Sequence, residues 1–273
     1  QQFSIIMTDF SKIDFFANED NFSKKKDILS TPVFVNTCES SKVTIAIPTC
    51  QRIRTLKDTI ESALSQKEFN NYEVLVVDDN GEREDETEQF MSSYKNHPKV
   101  SYYKNSKNLG QAGNCNRIFE LSKTELIVIL HDDDILSPYY LNKIIPFAVN
   151  HDADIVSVDS IFWDEARNTR PIFKNEGKVS YIRIQPSYMF NLSRCLPTGM
   201  LIKKQVGLNE GGFDERFHLS LDYVFIEKAV FKYKVYKYKE GLLIYRWENN
   251  SSMKLDNQIN FIYVDHYFKK QLG

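Results

Sequence analysis

Three consecutive carboxylates, Asp132, Asp133 and Asp134, follow His131 at the end of a short apolar run, Leu126 to Leu130. Like charges held that close raise one another's pKa, so the run needs something to neutralise it. A divalent cation is the simplest choice. An all-oxygen set favours Mg²⁺ or Mn²⁺ over zinc, with one or two carboxylates completed by phosphate oxygens. Standing alone, an Asp-Asp-Asp turn is more often a solvated loop or helix cap. Its place directly after Ile127-Val128-Ile129-Leu130 and before Ser137-Pro138 favours the metal reading. Two other polar groups sit at comparable points: Pro48, Thr49 and Arg52 after Val43 to Ile47, and Asp78 with Asp79 after Glu73 to Val77.

The elements that must position these groups are legible as alternation. Val43 to Ile47 is a β-branched strand stopped by Pro48, and Thr55 to Gln66 carries Leu56, Ile60, Ala63 and Leu64 at helical spacing. Glu73 to Val77 predicts the next strand, ending in the turn Asp78-Asp79-Asn80-Gly81. A polar helix over Asp85 to Lys95, a strand over Val100 to Tyr103 and a helix over Ala112 to Leu121 follow, then the strand Leu126 to Leu130, a helix from Pro138 to Asn150 and a strand from Ile155 to Val158. Strands separated by helices at this spacing predict βαβ units, a largely parallel sheet and right-handed crossovers. In such sheets ligands bind beyond the carboxyl ends of the strands, where all three polar groups fall.

The second half is less regular. Residues 160 to 184 suit an antiparallel excursion or a loop. Met200 to Lys203 reads as a strand, Asp222 to Tyr233 as a helix, Leu242 to Trp247 as a strand and Asn257 to Gln271 as a closing helix. The division is an N-terminal extension over 1–42, one domain over 43–255 and a C-terminal helix over 256–273.

Composition narrows the function classes. With 42% hydrophobic and 26% charged residues the chain is an ordinary globular protein. A net charge of -2 gives no basic face for duplex nucleic acid. The cysteines Cys38, Cys50, Cys115 and Cys195 are scattered without metal spacing, which fits a reducing, cytoplasmic compartment. No apolar run is long enough to cross a bilayer. The start Gln1-Gln2-Phe3 is not a secretory leader and lacks an initiator Met, so an anchor outside the fragment stays open. The basic aromatic run Phe231 to Lys239 suits peripheral contact with an anionic membrane face, or equally an amphipathic helix leading into an edge strand.

Five motifs recur together in the order and spacing of a known family: VTIAIPTCQR over 43–52, VLVVDDNG over 74–81, NLGQAGNCN over 108–116, HDDDILSP over 131–138, and GGFDE over 211–215 followed by Leu221-Asp222-Tyr223. Over residues 42–254 the chain resembles the inverting glycosyltransferases of the GT-A fold, which build polysaccharides and decorate glycoproteins. The resemblance implies an α/β fold with a Rossmann-like, mostly parallel central sheet flanked by helices. It implies a nucleotide diphosphate sugar donor, with uridine as the default base, a Mn²⁺ or Mg²⁺ cofactor, and a glycan, lipid-linked or protein-linked acceptor. Carried over residue by residue, Pro48, Thr49 and Arg52 meet the nucleotide, Asp79 meets the base imide, and Asn108, Gly110 and Asn114 run past the nucleotide. His131, Asp132 and Asp133, with Asp134 immediately after, match the metal motif, Asp132 also meeting the nucleotide; Thr198 and Gly199 approach the donor sugar, and Asp222 is the general base. The chain departs from the family pattern at His131 and Leu221, where relatives often carry an acid, and at Glu248, where they often carry His.

The chemistry expected is a single displacement. A metal offsets the charge of the leaving diphosphate, and a carboxylate takes the acceptor proton, which is typically worth about 10² to 10⁴ in rate. Two rival readings are a nucleotidyltransferase, for which Pro48 to Arg52 lacks a glycine-rich phosphate loop, and a non-catalytic nucleotide-sugar-binding protein.

Overall fold

The computed structural model describes residues 8–36, 40–175, 177, 179–190, 195, 197–247 and 254–273. Its centre is a ten-stranded sheet ordered β1-β4-β3-β2-β5-β9-β7-β10-β6, with β8 also paired to β10. The first half is built from β2 (Val43–Thr49), α1 (Ile53–Leu64), β3 (Tyr72–Asp78), α2 (Glu86–Met91), β4 (Val100–Asn105), α3 (Gly110–Leu121) and β5 (Leu126–Ile129). Strands β4, β3, β2 and β5 are parallel neighbours. Every residue of β3 is buried, because α1 covers one face and α3 the other. That explains the unbroken apolar runs: a strand covered on both faces needs no alternation. Ile45 and Ile47 face one core while Ala46 faces the other.

The second half comprises β6 (Ile135–Leu136), α4 (Tyr140–Asn150), β7 (Ile155–Trp163), β8 (Tyr181–Arg183), β9 (Met200–Lys203), α5 (Lys204–Asn209), α6 (Leu221–Ala229), β10 (Val235–Arg246) and α7 (Leu255–Leu272). Here the sheet turns mixed: β9 runs antiparallel to both β5 and β7, while β7 and β10 are parallel. The expected strand Leu242 to Trp247 is the end of a twelve-residue strand that begins at Val235, and the expected helix Asp222 to Tyr233 stops at Ala229. The polar helix is shorter than its spacing implies: α2 is capped by the Asp85 side chain, which accepts from Glu88 N at 2.8 Å, and passes at Ser92 into a 3₁₀ turn.

The described part of residues 1–42 packs into this body. Phe10 and Phe15 are buried against Phe217 and Phe268, and β1 (Ser30–Phe34) pairs antiparallel with β4 at the sheet edge. Asn21 donates from both its backbone N and its Nδ2 to Gly211 O, each at 3.1 Å. Gly211 itself has φ +72°. Among the described residues, no helix is long and apolar enough to cross a membrane.

Candidate functional site

A cleft of about 710 Å³ opens where β2, β3 and β5 end. Its first wall is the turn from β2 into α1. The strand does not stop at Pro48 as expected but stays paired with β3 through Thr49, then Gln51 takes φ +53° and Arg52 reaches the opening. Thr49 Oγ1 donates to Asp132 Oδ2 at 2.7 Å. Arg52 Nη2 donates to Asp133 Oδ2 at 2.7 Å, and its Nη1 stands 3.4 Å from Asp132 Oδ1. The sequence reading sends Arg52 to the nucleotide; in the structure it bridges two of the carboxylates.

The second wall is organised by Asp79, which is only 3% exposed. Its Oδ1 accepts from Leu109 N at 2.7 Å and Asn105 Nδ2 at 2.8 Å, and its Oδ2 from Gly110 N at 3.0 Å. Asp79 therefore ties β3 to the start of α3 as well as facing the cleft. Gly110, at φ +75°, brings its N–H close enough to serve it. Asn108 Nδ2 donates to Asp79 O at 3.1 Å, and Asn114 Nδ2 to Val77 O at 3.1 Å and Thr49 O at 3.3 Å. Both side chains brace the strand ends that they border. Behind them Asp78, fully buried, accepts from Tyr102 Oη at 2.7 Å and Lys104 Nζ at 3.1 Å. Burial raises the Asp78 and Asp79 pKa values, while these donors pull them back down.

The loop between β5 and β6 forms the floor. Burial pushes the Asp132 carboxyl up to about 6 and holds the His131 imidazole below its ordinary value. Asp134 has no exposed surface and does not line the cleft. Its Oδ1 accepts from Arg246 N at 3.0 Å, its Oδ2 has no hydrogen-bond partner, and burial with the Asp133 charge alongside raises its pKa. One donor atom from each of His131, Asp133 and Asp134 falls within 4.8 Å of the others. A buried, unpartnered carboxylate oxygen beside such a set fits a divalent cation, because such an oxygen is otherwise costly.

Arg246 was not singled out from the sequence, yet it fixes this loop from below. Its Nε donates to Asp133 O at 2.9 Å, Nη1 to Glu165 Oε1 at 2.6 Å and Nη2 to Asp58 Oδ2 at 2.8 Å, with the guanidinium 4.7 Å from the Trp163 ring centre. Thr198 and Gly199 are not on the cleft wall. Thr198 Oγ1 accepts from His131 N at 3.2 Å and Gly199 N donates to Ile129 O at 2.7 Å, so both help to shape the loop. Glu248 lies outside the described residues.

Asp222 lines the same cleft from the first turn of α6. Its Oδ1 accepts from Tyr223 N at 2.6 Å, and burial raises the carboxyl to about 6. The segment before it is tightly held. His218 takes φ +50° and ψ −128°, and its Nε2 lies 3.0 Å from Thr8 Oγ1. That contact makes His218 a structural residue rather than a cleft residue. Behind Asp222, the Tyr223 ring lies 5.0 Å from that of Phe261 on α7.

Residues 44–207 match the family described as Glycosyl transferase family 2. An uncharacterized glycosyltransferase of Methanocaldococcus jannaschii, MJ1057, is 28% identical over 200 residues, covering 72% of this chain and 67% of that protein. Among solved structures, residues 1–349 of Staphylococcus aureus TarS in complex with UDP-GlcNAc superpose with a TM-score of 0.64 at 17% identity, over 82% of this chain and 66% of that one. The mannosyltransferase PcManGT of Pyrobaculum calidifontis, in complex with GDP-Man and Mn²⁺, gives 0.58 at 14% identity, over 89% and 68%. At these identities the structural likeness speaks for the fold, the GT-A arrangement. This chain spans about two thirds of the length of these relatives.

Proposed function

The chain belongs to glycosyl transferase family 2, and from that premise we propose that it transfers a sugar, with inversion, from a nucleoside diphosphate to an acceptor hydroxyl in polysaccharide or glycoconjugate synthesis. The observation that carries this reading is that Asp132, Asp133 and Asp222, which come from distant parts of the chain, line one cleft with Asp79 and Arg52. A uridine diphosphate sugar is the donor we favour. Asp79, already oriented by three N–H donors, presents a fixed acceptor to a base imide. Thr49 holds Asp132 in place for the ribose, and Arg52, half-exposed, supplies positive charge beside the diphosphate.

His131, Asp133 and Asp134 would hold a divalent cation, which offsets charge on the departing diphosphate when bound. Asp222 acts on the other partner. Its carboxylate accepts the acceptor's hydroxyl proton as the new bond forms, and its place in the first turn of α6 favours the ionised form against the burial that opposes it. No carboxylate nucleophile is needed for one displacement.

Product analysis tests this. Incubation with a UDP-sugar and an acceptor glycan should release UDP rather than sugar 1-phosphate, and Asp222→Asn should slow transfer by about 10²-fold or more while donor binding and melting temperature stay near wild type. Sugar 1-phosphate release from the UDP-sugar, or pyrophosphate release from UTP supplied with a sugar 1-phosphate, would point to nucleotidyl transfer, and donor binding without turnover to a binding protein.

A further inference from the structure

We propose that His131 is a direct nitrogen ligand of the site's cation, so that the site takes a first-row transition ion such as Mn²⁺ in preference to Mg²⁺. The inference rests on the transferase reading and adds to it direct coordination through an imidazole nitrogen and the metal preference that follows.

His131 is the first residue beyond β5, and its backbone is pinned on both sides: its N–H donates to Thr198 Oγ1 at 3.2 Å, and its carbonyl accepts from Asp134 N at 3.2 Å. The imidazole lines the cleft, and among the described residues no hydrogen bond is recorded for either ring nitrogen. A ring nitrogen lies with one oxygen each of Asp133 and Asp134 inside a 4.8 Å span. Atoms sharing an ion at about 2.1 Å stand roughly 3 to 4.2 Å apart, so closing the set needs only small side-chain rotations. A further observation points the same way: Asp134, itself one of the set, has no exposed surface, and its Oδ2 makes no close hydrogen bond although the Thr198 hydroxyl lies near the carboxyl.

Asp132 is less available, since Thr49 takes its Oδ2 and Arg52 its Oδ1. Arg52 holds only one oxygen of Asp133. The set is therefore mixed nitrogen and oxygen, whereas the run of three carboxylates by itself is all oxygen. Mg²⁺ gains little from imidazole and keeps to oxygen and water, while affinity of nitrogen-containing sites rises along the first-row series from Mn²⁺ onward.

Pulsed electron paramagnetic resonance on the whole chain with Mn²⁺ and UDP reads the ligand directly. The expected spectrum carries nitrogen modulation of a coordinated imidazole, which changes on ¹⁵N-histidine labelling and disappears in His131→Gln. Calorimetry should show Mn²⁺ affinity falling about tenfold in that variant. If the Gln variant does not fold, His131→Asp serves instead: it should retain Mn²⁺, lose the nitrogen modulation and narrow the preference over Mg²⁺. Mn²⁺ bound to wild type without histidine coupling, coupling that survives in either variant, or no Mn²⁺ binding would each overturn the assignment. Sugar transfer with no histidine coupling refutes this ligand alone, whereas histidine-bound Mn²⁺ in a protein that neither binds UDP nor releases it from a sugar nucleotide refutes the transferase reading alone.

Discussion

Asp222 works only when ionised, and burial holds its carboxyl at about 6, above the usual range for Asp. The sign is direct: a base is present above its pKa, so transfer should fall tenfold per unit as pH drops below about 6 and level off above it. A kcat/KM profile flat from pH 5 to 8 would move the base elsewhere. Asp79 carries a different lesson. The sequence offers it as a base-reading acceptor, but its oxygens also take the N–H groups that begin α3. Hydrogen bonds to a charged group are each worth about 1.5 to 3 kcal/mol. Asp79→Ala should therefore lower stability by about 2 to 4 kcal/mol, seen as an earlier urea midpoint, besides erasing any preference for uridine.

Gly211 shows how an element is held by a residue that has no side chain. At φ +72° its missing Cβ would lie 1.9 Å from Glu19 O, in the segment that packs across it. Gly211→Ala must push that backbone away and strain its own, so a loss of about 2 kcal/mol or more is expected, measurable by urea titration. The sequence shows Gly211-Gly212 as part of a motif but cannot show that residues 19 to 21 lie on it. The same limit runs through the fold. Strands β2, β3 and β5 are legible because each is a closed apolar run sandwiched between layers. The antiparallel course of β9 is not, because direction is set by pairing with β5 and β7. Asp132, Asp133 and Asp222 are legible as chemistry at strand and helix ends. The grip of Arg246 on the Asp133 carbonyl is not, because it joins residues 113 apart that only β10's pairing beside β6 brings together. The bond from the His131 N–H to the Thr198 hydroxyl is hidden for the same reason, because it joins two loops far apart in the chain.

At the scale of the molecule, the cleft draws its wall from nearly the whole chain, from Pro48 on β2 to Phe261 on α7. The N-terminal segment reaches it only indirectly, through Phe10 and Phe15 against Phe217 and through Thr8 on His218. Strand β1 lies at the far margin of the sheet, away from any chemistry. It is short, largely solvent-facing, carries Pro32, and loses register between Pro32 and Phe34. A margin with a missing N–H and a kink is a poor template for another strand, whereas the β4 margin beneath it is regular and mostly buried. The cover thus keeps molecules of this protein from joining sheet to sheet. Replacing residues 30–34 by a glycine-serine stretch, with Phe10 and Phe15 left in place, should raise concentration-dependent light scattering above that of the intact chain, and equal scattering from both would make β1 dispensable for solubility.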